Sequence, residues 1–431
     1  MSFLKRLFTD DLSPIRANTP RHASTRPQQG EAIDESGARR SDATSRPGIS
    51  TVVLNWNAGE NDPFSVTNRA IAGHLHASGK NVEIVEISSD KWWTKLEELA
   101  PSVDFVFTWQ GFGSYGTIWE RLRVPLICVH GDHPSHMPQN HENESEYCFH
   151  LYTNADFARY SNRHFRRIRS ATVIDIPQLH RERRLESFAG DHFVFAKNVN
   201  HPMDTEARWR ERLAPWAFDV YMSAAETLQA RLPAETYVEI HDVLDDFLKA
   251  RNVDRLMPSA DAAGYHQFHS QLDHFSRSLK SIRVVQSMRD FPLKVYGRGW
   301  ERIAAEASRI HTFDAGKDMA DSQALYYSRY GIVDVSPSKG LHDRTRRAMA
   351  NGTSFLSSAN LEDSFDDVDR FDRLFYSFHG DALKEHCTAV MHDPEGHREA
   401  SRSFAHTYHN RFHFRDFANR LDALAKLVTR F

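Results

Sequence analysis

The sequence predicts an α/β chain made of two units, each built around a parallel sheet. Three observations carry this. Short apolar runs alternate with segments of helical period from Thr51 onward. The alternation stops near residue 190 and starts again at His192-Phe193-Val194-Phe195-Ala196. The length of 431 residues suits two or three domains at roughly 150 residues each.

Residues 1–48 read as a disordered tail. They are rich in Ser, Thr, Pro, Arg and Gly, with few apolar residues after Leu12, so burial cannot offset the entropy of ordering. The first strand is Thr51 to Trp56. A helix follows from Ser65 to Ser78, with Val66, Ala70, Ile71 and Leu75 on one face and Gly79 as its stop. Further strands are predicted at Val82 to Ile87, Val103 to Thr108, Pro125 to Val129, His150 to Thr153 and Thr172 to Ile176. Such a sheet binds ligands beyond the carboxyl ends of its strands. The second unit opens with the strand at His192 and is mostly helical until about Arg289. Within it Tyr265, Phe268, Leu272, Phe275, Leu279 and Ile282 recur at three- and four-residue steps, one face of a helix. Strands at Pro292 to Tyr296, Gly331 to Val335 and Ser354 to Ser357 follow, and a last helix from Phe412 to Phe431. The expected units are 49–190 and 191–431.

Composition excludes several classes. Lys and Arg number 54 against 58 Asp and Glu, a net charge of −4, so the basic excess of a nucleic-acid binder is missing. The 25 histidines make the charge sensitive between pH 7 and 5. Cys128, Cys148 and Cys387 form no CxxC pair, which removes a disulfide scaffold and a zinc ribbon and fits a reducing, cytoplasmic setting. No apolar stretch reaches the roughly 18 residues of a membrane-spanning helix. No GxSxG elbow, Walker loop or HExxH is present.

Three motifs follow strands. In Val129-His130-Gly131-Asp132-His133-Pro134, the acid or either histidine suits general-base work, and the spacing also admits a metal. The same residues equally make a turn with Asp as a cap and Pro at the first helical position. In Tyr296-Gly297-Arg298-Gly299-Trp300, two glycines allow a ligand near the backbone, or simply a tight turn. In Ser336-Pro337-Ser338-Lys339-Gly340-Leu341-His342-Asp343-Arg344, a strand, a glycine loop and a helix start coincide with cations. That is an anion site by helix dipole and an arginine fork, or a solvated basic helix end. His406, His409 and His413 are spaced for one helix face and read mainly as surface histidines.

In order, these pieces resemble the GT-B glycosyltransferases, most closely the spore-maturation-protein type of the glycosyltransferase family 1-like group. The matching residues are Gly131-Asp132-His133-Pro134, Pro292 to Trp300, Gly340-Leu341-His342-Asp343-Arg344 and Arg347-Ala348-Met349-Ala350-Asn351-Gly352. The resemblance implies two facing Rossmann-like domains with parallel sheets, the last helix packing back on the first. It implies transfer of a sugar from a nucleotide diphosphate sugar, held as co-substrate with no cofactor and no metal, to a glycan, protein or small-molecule acceptor. Nucleic acid and integral membrane segments are not expected. Donor contacts would come from Gly297, Gly299, Ser338, Lys339, Gly340, His342, Arg344 and Arg347, and catalysis from Asp132, His133 or His130, with Asp132 preferred as base. The family usually has Glu where Arg347 stands, and that acid contacts the ribose. A cation cannot accept those hydrogen bonds. A catalytically silent nucleotide- or glycan-binding protein is therefore the second reading. A metal-dependent hydrolase using His130, Asp132 and His133 is the third.

Overall fold

The protein is described by a computed structural model covering residues 50–55, 63–89, 91–111, 118–141, 145–165, 169–175, 190–232, 238–251, 262–304, 310–313, 327–337, 340–359, 361 and 368–428. The predicted tail lies outside these residues, as do Ser338 and Lys339.

The first unit alternates strands and helices: β1 (Thr51–Asn55), α1 (Pro63–Ala77), β2 (Val82–Glu86), α2 (Trp92–Leu99), β3 (Phe105–Trp109), α3 (Ile118–Leu122), β4 (Leu126–His130), β5 (Cys148–Tyr152), α4 (Ala155–His164) and β6 (Arg169–Val173). Its six strands are all parallel, in the order β2-β1-β3-β4-β5-β6. β1, β3 and β4 are buried along their whole length, so both sheet faces are covered and the strands read as apolar runs rather than alternating ones. Gly79 takes a φ of 89°, the left-handed conformation that ends α1.

The second unit starts with β7 (Phe193–Ala196). Four helices follow: α5 (Pro202–Arg212), α6 (Pro215–Arg231), α7 (Ile240–Ala250) and α8 (Ala262–Ser287). Then come β8 (Leu293–Tyr296), α9 (Glu301–Ala304), β9 (Ile310–Phe313), β10 (Gly331–Asp334), α10 (Asp343–Ala350), β11 (Phe355–Ser357), α11 (Ala382–His392), α12 (Pro394–Arg411) and α13 (Phe414–Val428). This sheet is also parallel, in the order β11-β10-β7-β8-β9. The predicted α/β class with two parallel sheets is thus observed. β9 is an added strand that the sequence reading missed, and most boundaries move by one to three residues. His413 falls beyond the end of α12, so the three histidines do not share one helix.

The long α8 joins two cores. Tyr265, Phe268, Leu272 and Phe275 pack among α5, α6 and α7, and Tyr160 of α4 joins them. Ile282, Val284 and Val285 pack instead under the second sheet with Phe193 and Trp300. α13 returns to the first unit as expected: Phe414, Phe417, Ala418, Leu421 and Ala425 share a core with Val53, Ile71, Phe107 and Ile127. The Phe417 ring stacks on Trp109 at 6.2 Å.

Candidate functional site

At the carboxyl edge of the second sheet the chain leaves β7 at Lys197, β8 at Gly297 and β10 at Asp334. The two glycines of the turn after β8 lie against this chain's own backbone. Gly297 has φ 126°, and an added Cβ would lie 2.3 Å from the Lys197 carbonyl oxygen; Gly299 has φ 88°, with the Val199 carbonyl oxygen at 2.0 Å. The Arg298 carbonyl accepts from the Val199 N–H at 3.0 Å, and the Trp300 indole donates to the Lys197 carbonyl at 2.6 Å. The turn therefore clamps the residues after β7.

Asp334 is the centre of the edge, and sequence reasoning passed over it. It is buried, and Thr345 Oγ1 donates to its Oδ2 at 2.8 Å. His342 Nδ1 lies 3.2 Å from the same oxygen, and Arg344 Nη1 lies 4.0 Å from Oδ1. Burial alone would raise its pKa. The neighbouring His342 and Arg344, with hydrogen bonds from His342 and Thr345, overturn that and hold the carboxyl well below the usual range. The predicted loop residues His342 and Arg344 are thus brought together by an acid at the end of β10, and Gly340 lends its carbonyl to Ser336 Oγ.

Lys197 is the second residue missed. Its Nζ is enclosed and has no hydrogen-bond partner among the described residues. Burial first, then the charges of Arg344 and Arg277, press its pKa down to about 7. Lys280 of α8 is pressed to about 8, chiefly by burial. Four cationic side chains therefore converge near one strand edge, with Asp334 and Asp273 as the acids that oppose them. Arg347 is not part of this group: its Nε pairs with Asp343 Oδ2 at 2.8 Å, one turn back on α10.

In the first unit, β4 ends in the turn that carries Asp132. Gln110 holds this turn from a left-handed position of φ 54°. Its Nε2 donates to Asp132 Oδ2 at 2.8 Å, and its Oε1 accepts from the N–H groups of Gly131 and Asp132 at 3.1 and 3.3 Å. His133 serves the turn: its Nδ1 accepts from the Ser135 N–H at 3.2 Å as an N-cap, and burial, then His269, lowers its pKa. His130 points into the interior. It is 1 % exposed, and its Nε2 lies 2.9 Å from His150 Nδ1. The trio of His130, Asp132 and His133 is not among the groups of described residues close enough to share an ion: His130 is buried against His150, Gln110 holds Asp132, and His133 caps the turn at Ser135.

The first unit meets α8 next to this turn. Ser135 Oγ lies 2.9 Å from His269 Nδ1, the His133 and His269 rings stack at 4.2 Å, and His136 Nε2 lies 2.8 Å from Asp273 Oδ2. Arg277 pairs with the same Asp273 oxygen at 2.7 Å. A narrow pocket runs here, lined by His133 and Phe157, by His269, Asp273 and Arg277 of α8, and by Pro337 of the loop after β10. The arrangement can neutralise an anion at the second sheet and present a half-buried carboxylate from the first.

No family model and no curated protein matches the chain. Among solved structures it is similar to T4 phage β-glucosyltransferase, at 8 % identity over 86 % of this chain and 99 % of that one, with a TM-score of 0.44. It is also similar to AviGT4, a glycosyltransferase involved in avilamycin A biosynthesis (9 % identity, 88 % and 98 % covered, TM-score 0.40). A third is the glycosyltransferase SnogD from Streptomyces nogalater (12 % identity, 87 % and 100 % covered, TM-score 0.34). At such overlap no residue role carries over from them.

Proposed function

We propose that the chain is a glycosyltransferase that moves a sugar from a nucleotide diphosphate sugar to a hydroxyl-bearing acceptor, with 49–190 as acceptor unit and 191–431 as donor unit. The observation that carries this reading is the enclosed Lys197 amine, without a hydrogen-bond partner among the described residues, beside Arg344 at the carboxyl edge of the second sheet. A diphosphate is the ligand that offsets those charges. In the reaction the acceptor oxygen bonds to the anomeric carbon as the bond to the β-phosphate oxygen breaks. The electron pair leaves on the nucleoside diphosphate, where Lys197, Arg344 and the Lys339 of the same loop stabilise it. The acceptor proton goes to Asp132 if configuration inverts. His133 is already committed to Ser135, which favours Asp132 as base. Metal independence, a cytoplasmic setting and kinship with the spore-maturation type belong to the same proposal.

The test screens nucleoside diphosphates by thermal shift. Wild type should gain stability, and Lys197→Met and Arg344→Ala should lose that gain; no response of wild type up to about millimolar ligand, a concentration at which even weak binders register, sinks the reading. Asp132→Asn should lower turnover at least about a hundredfold with nucleotide binding retained, and added Mg²⁺ or Mn²⁺ should leave the rate unchanged. The second reading, binding without turnover, draws on Arg347, which stands where the resemblance expects a glutamate, pairs with Asp343 and cannot itself accept from a ribose. Nucleoside diphosphate released above a heat-killed control excludes it.

A further inference from the structure

We propose that binding of the diphosphate at Lys197 is coupled to uptake of a proton: the empty site holds this side chain as a neutral amine, and the bound anion converts it to an ammonium. The inference rests on the reading of this edge as a nucleotide site and adds how that site responds to pH.

Lys197 directly follows β7, and its backbone is fixed by the close approach of Gly297 and by the Trp300 indole. Its Nζ is enclosed, with no hydrogen-bond partner among the described residues. The charged and titratable groups that face it there come from three elements. His342 and Arg344 stand at the start of α10, Asp334 at the end of β10, and His274, Arg277 and Lys280 on α8. Asp334 is the one acid in this set, and Thr345, His342 and Arg344 already engage its oxygens. Arg277 is paired with Asp273. An ammonium enclosed here has cations beside it and no acceptor, so burial and the charges of Arg344 and Arg277 favour the neutral amine. A diphosphate reverses both conditions. Its oxygens accept from the ammonium, and its negative charge offsets the arginines. The proton comes from solvent, and no covalent bond to the ligand forms.

Linkage sets the direction. The empty amine gives up its proton near pH 7, whereas a lysine with an anionic partner keeps it to about pH 10 or above. Between these limits each ligand bound takes up about one proton, and affinity falls about tenfold per pH unit. Lys280, pressed to about 8, adds to the uptake where the ligand reaches it. A terminal phosphate loses its last proton near about pH 6, so at pH 8 the ligand itself takes up almost none.

The experiment is calorimetry of the full chain at pH 8 in two buffers of different ionisation heat, without divalent metal. The probe is the tightest binder among uridine, thymidine, guanosine and adenosine diphosphates. Wild type should take up about one proton, and its Kd should rise about tenfold from pH 7.5 to 8.5. Lys197→Arg, whose guanidinium keeps its charge, should bind with about one proton less and lose that pH dependence. Binding by wild type with less than about a tenth of a proton taken up overturns this inference and leaves the nucleotide reading standing. Unchanged uptake in Lys197→Arg also overturns it, as does uptake abolished by Lys280→Met. Where Lys197→Arg fails to fold, the other two proteins decide, with about one proton retained in Lys280→Met as the expected result. Wild type that binds none of the four diphosphates even at pH 7 sinks the nucleotide reading and this inference together.

Discussion

Lys197 Nζ is enclosed without an acceptor among the described residues, and its pKa is pressed to about 7 by burial and then by Arg344 and Arg277. An unfolded lysine titrates near 10.4, so between about pH 7 and 10 the unfolded chain binds more protons than the folded one. Stability contributed here is lowest at neutral pH and below, and rises toward pH 10. Lys197→Met should therefore raise the unliganded melting temperature at pH 7 and flatten the rise toward pH 10, the opposite of its effect on nucleotide binding. Urea unfolding across that range reads the slope, and an unchanged slope would put the amine in water. Nothing in the sequence marked this residue. A lysine after a four-residue strand looks like any other, and its meaning comes from Arg277, which lies eighty positions away. Asp334 escaped notice for the same reason. His342 and Arg344 were legible, because a glycine loop, a helix start and cations stood side by side.

Helices and strands were the most legible level. A buried parallel strand declares itself as an apolar run, and α8 and α13 show one-sided apolar spacing over several turns. β9 was not legible: four residues offer neither length nor alternation. The glycine turn after β8 was legible as a tight turn, but the backbone it closes on was not, since Lys197 and Val199 are remote in sequence. α13 gives a direct test of packing at this level. Leu421 is fully buried between the first sheet and α1. Leu421→Ala should cost about 2–5 kcal/mol, the range for buried leucine truncations, read as a lower urea midpoint. A cost near zero would mean that the helix is not held there in solution.

Across the whole molecule, the histidines behave differently from what their number implied. Burial lowers the pKa of His133, His141 and His269, and brings His150, His266 and His274 to about 4. These rings stay neutral in the folded chain at pH 5, where exposed ones would be charged. Because the unfolded chain binds protons near pH 6.5 and the folded one does not, stability must fall as pH drops from about 6.5 toward 4, by up to about 1.4 kcal/mol per pH unit for each such ring. Unfolding midpoints measured over that window should show a slope of more than one proton; a slope near zero would place these rings in water. The return of α13 to the first sheet bears on how the chain is made. The face formed by Val53, Phe107 and Ile127 is complete only when Phe414 to Leu421 exist, and the whole second unit is synthesised in between. At roughly 5–20 residues per second, the nascent first unit carries an uncovered apolar face for on the order of tens of seconds. In that interval α1 covers only part of this face, and the remainder is open to aggregation until the last helix docks.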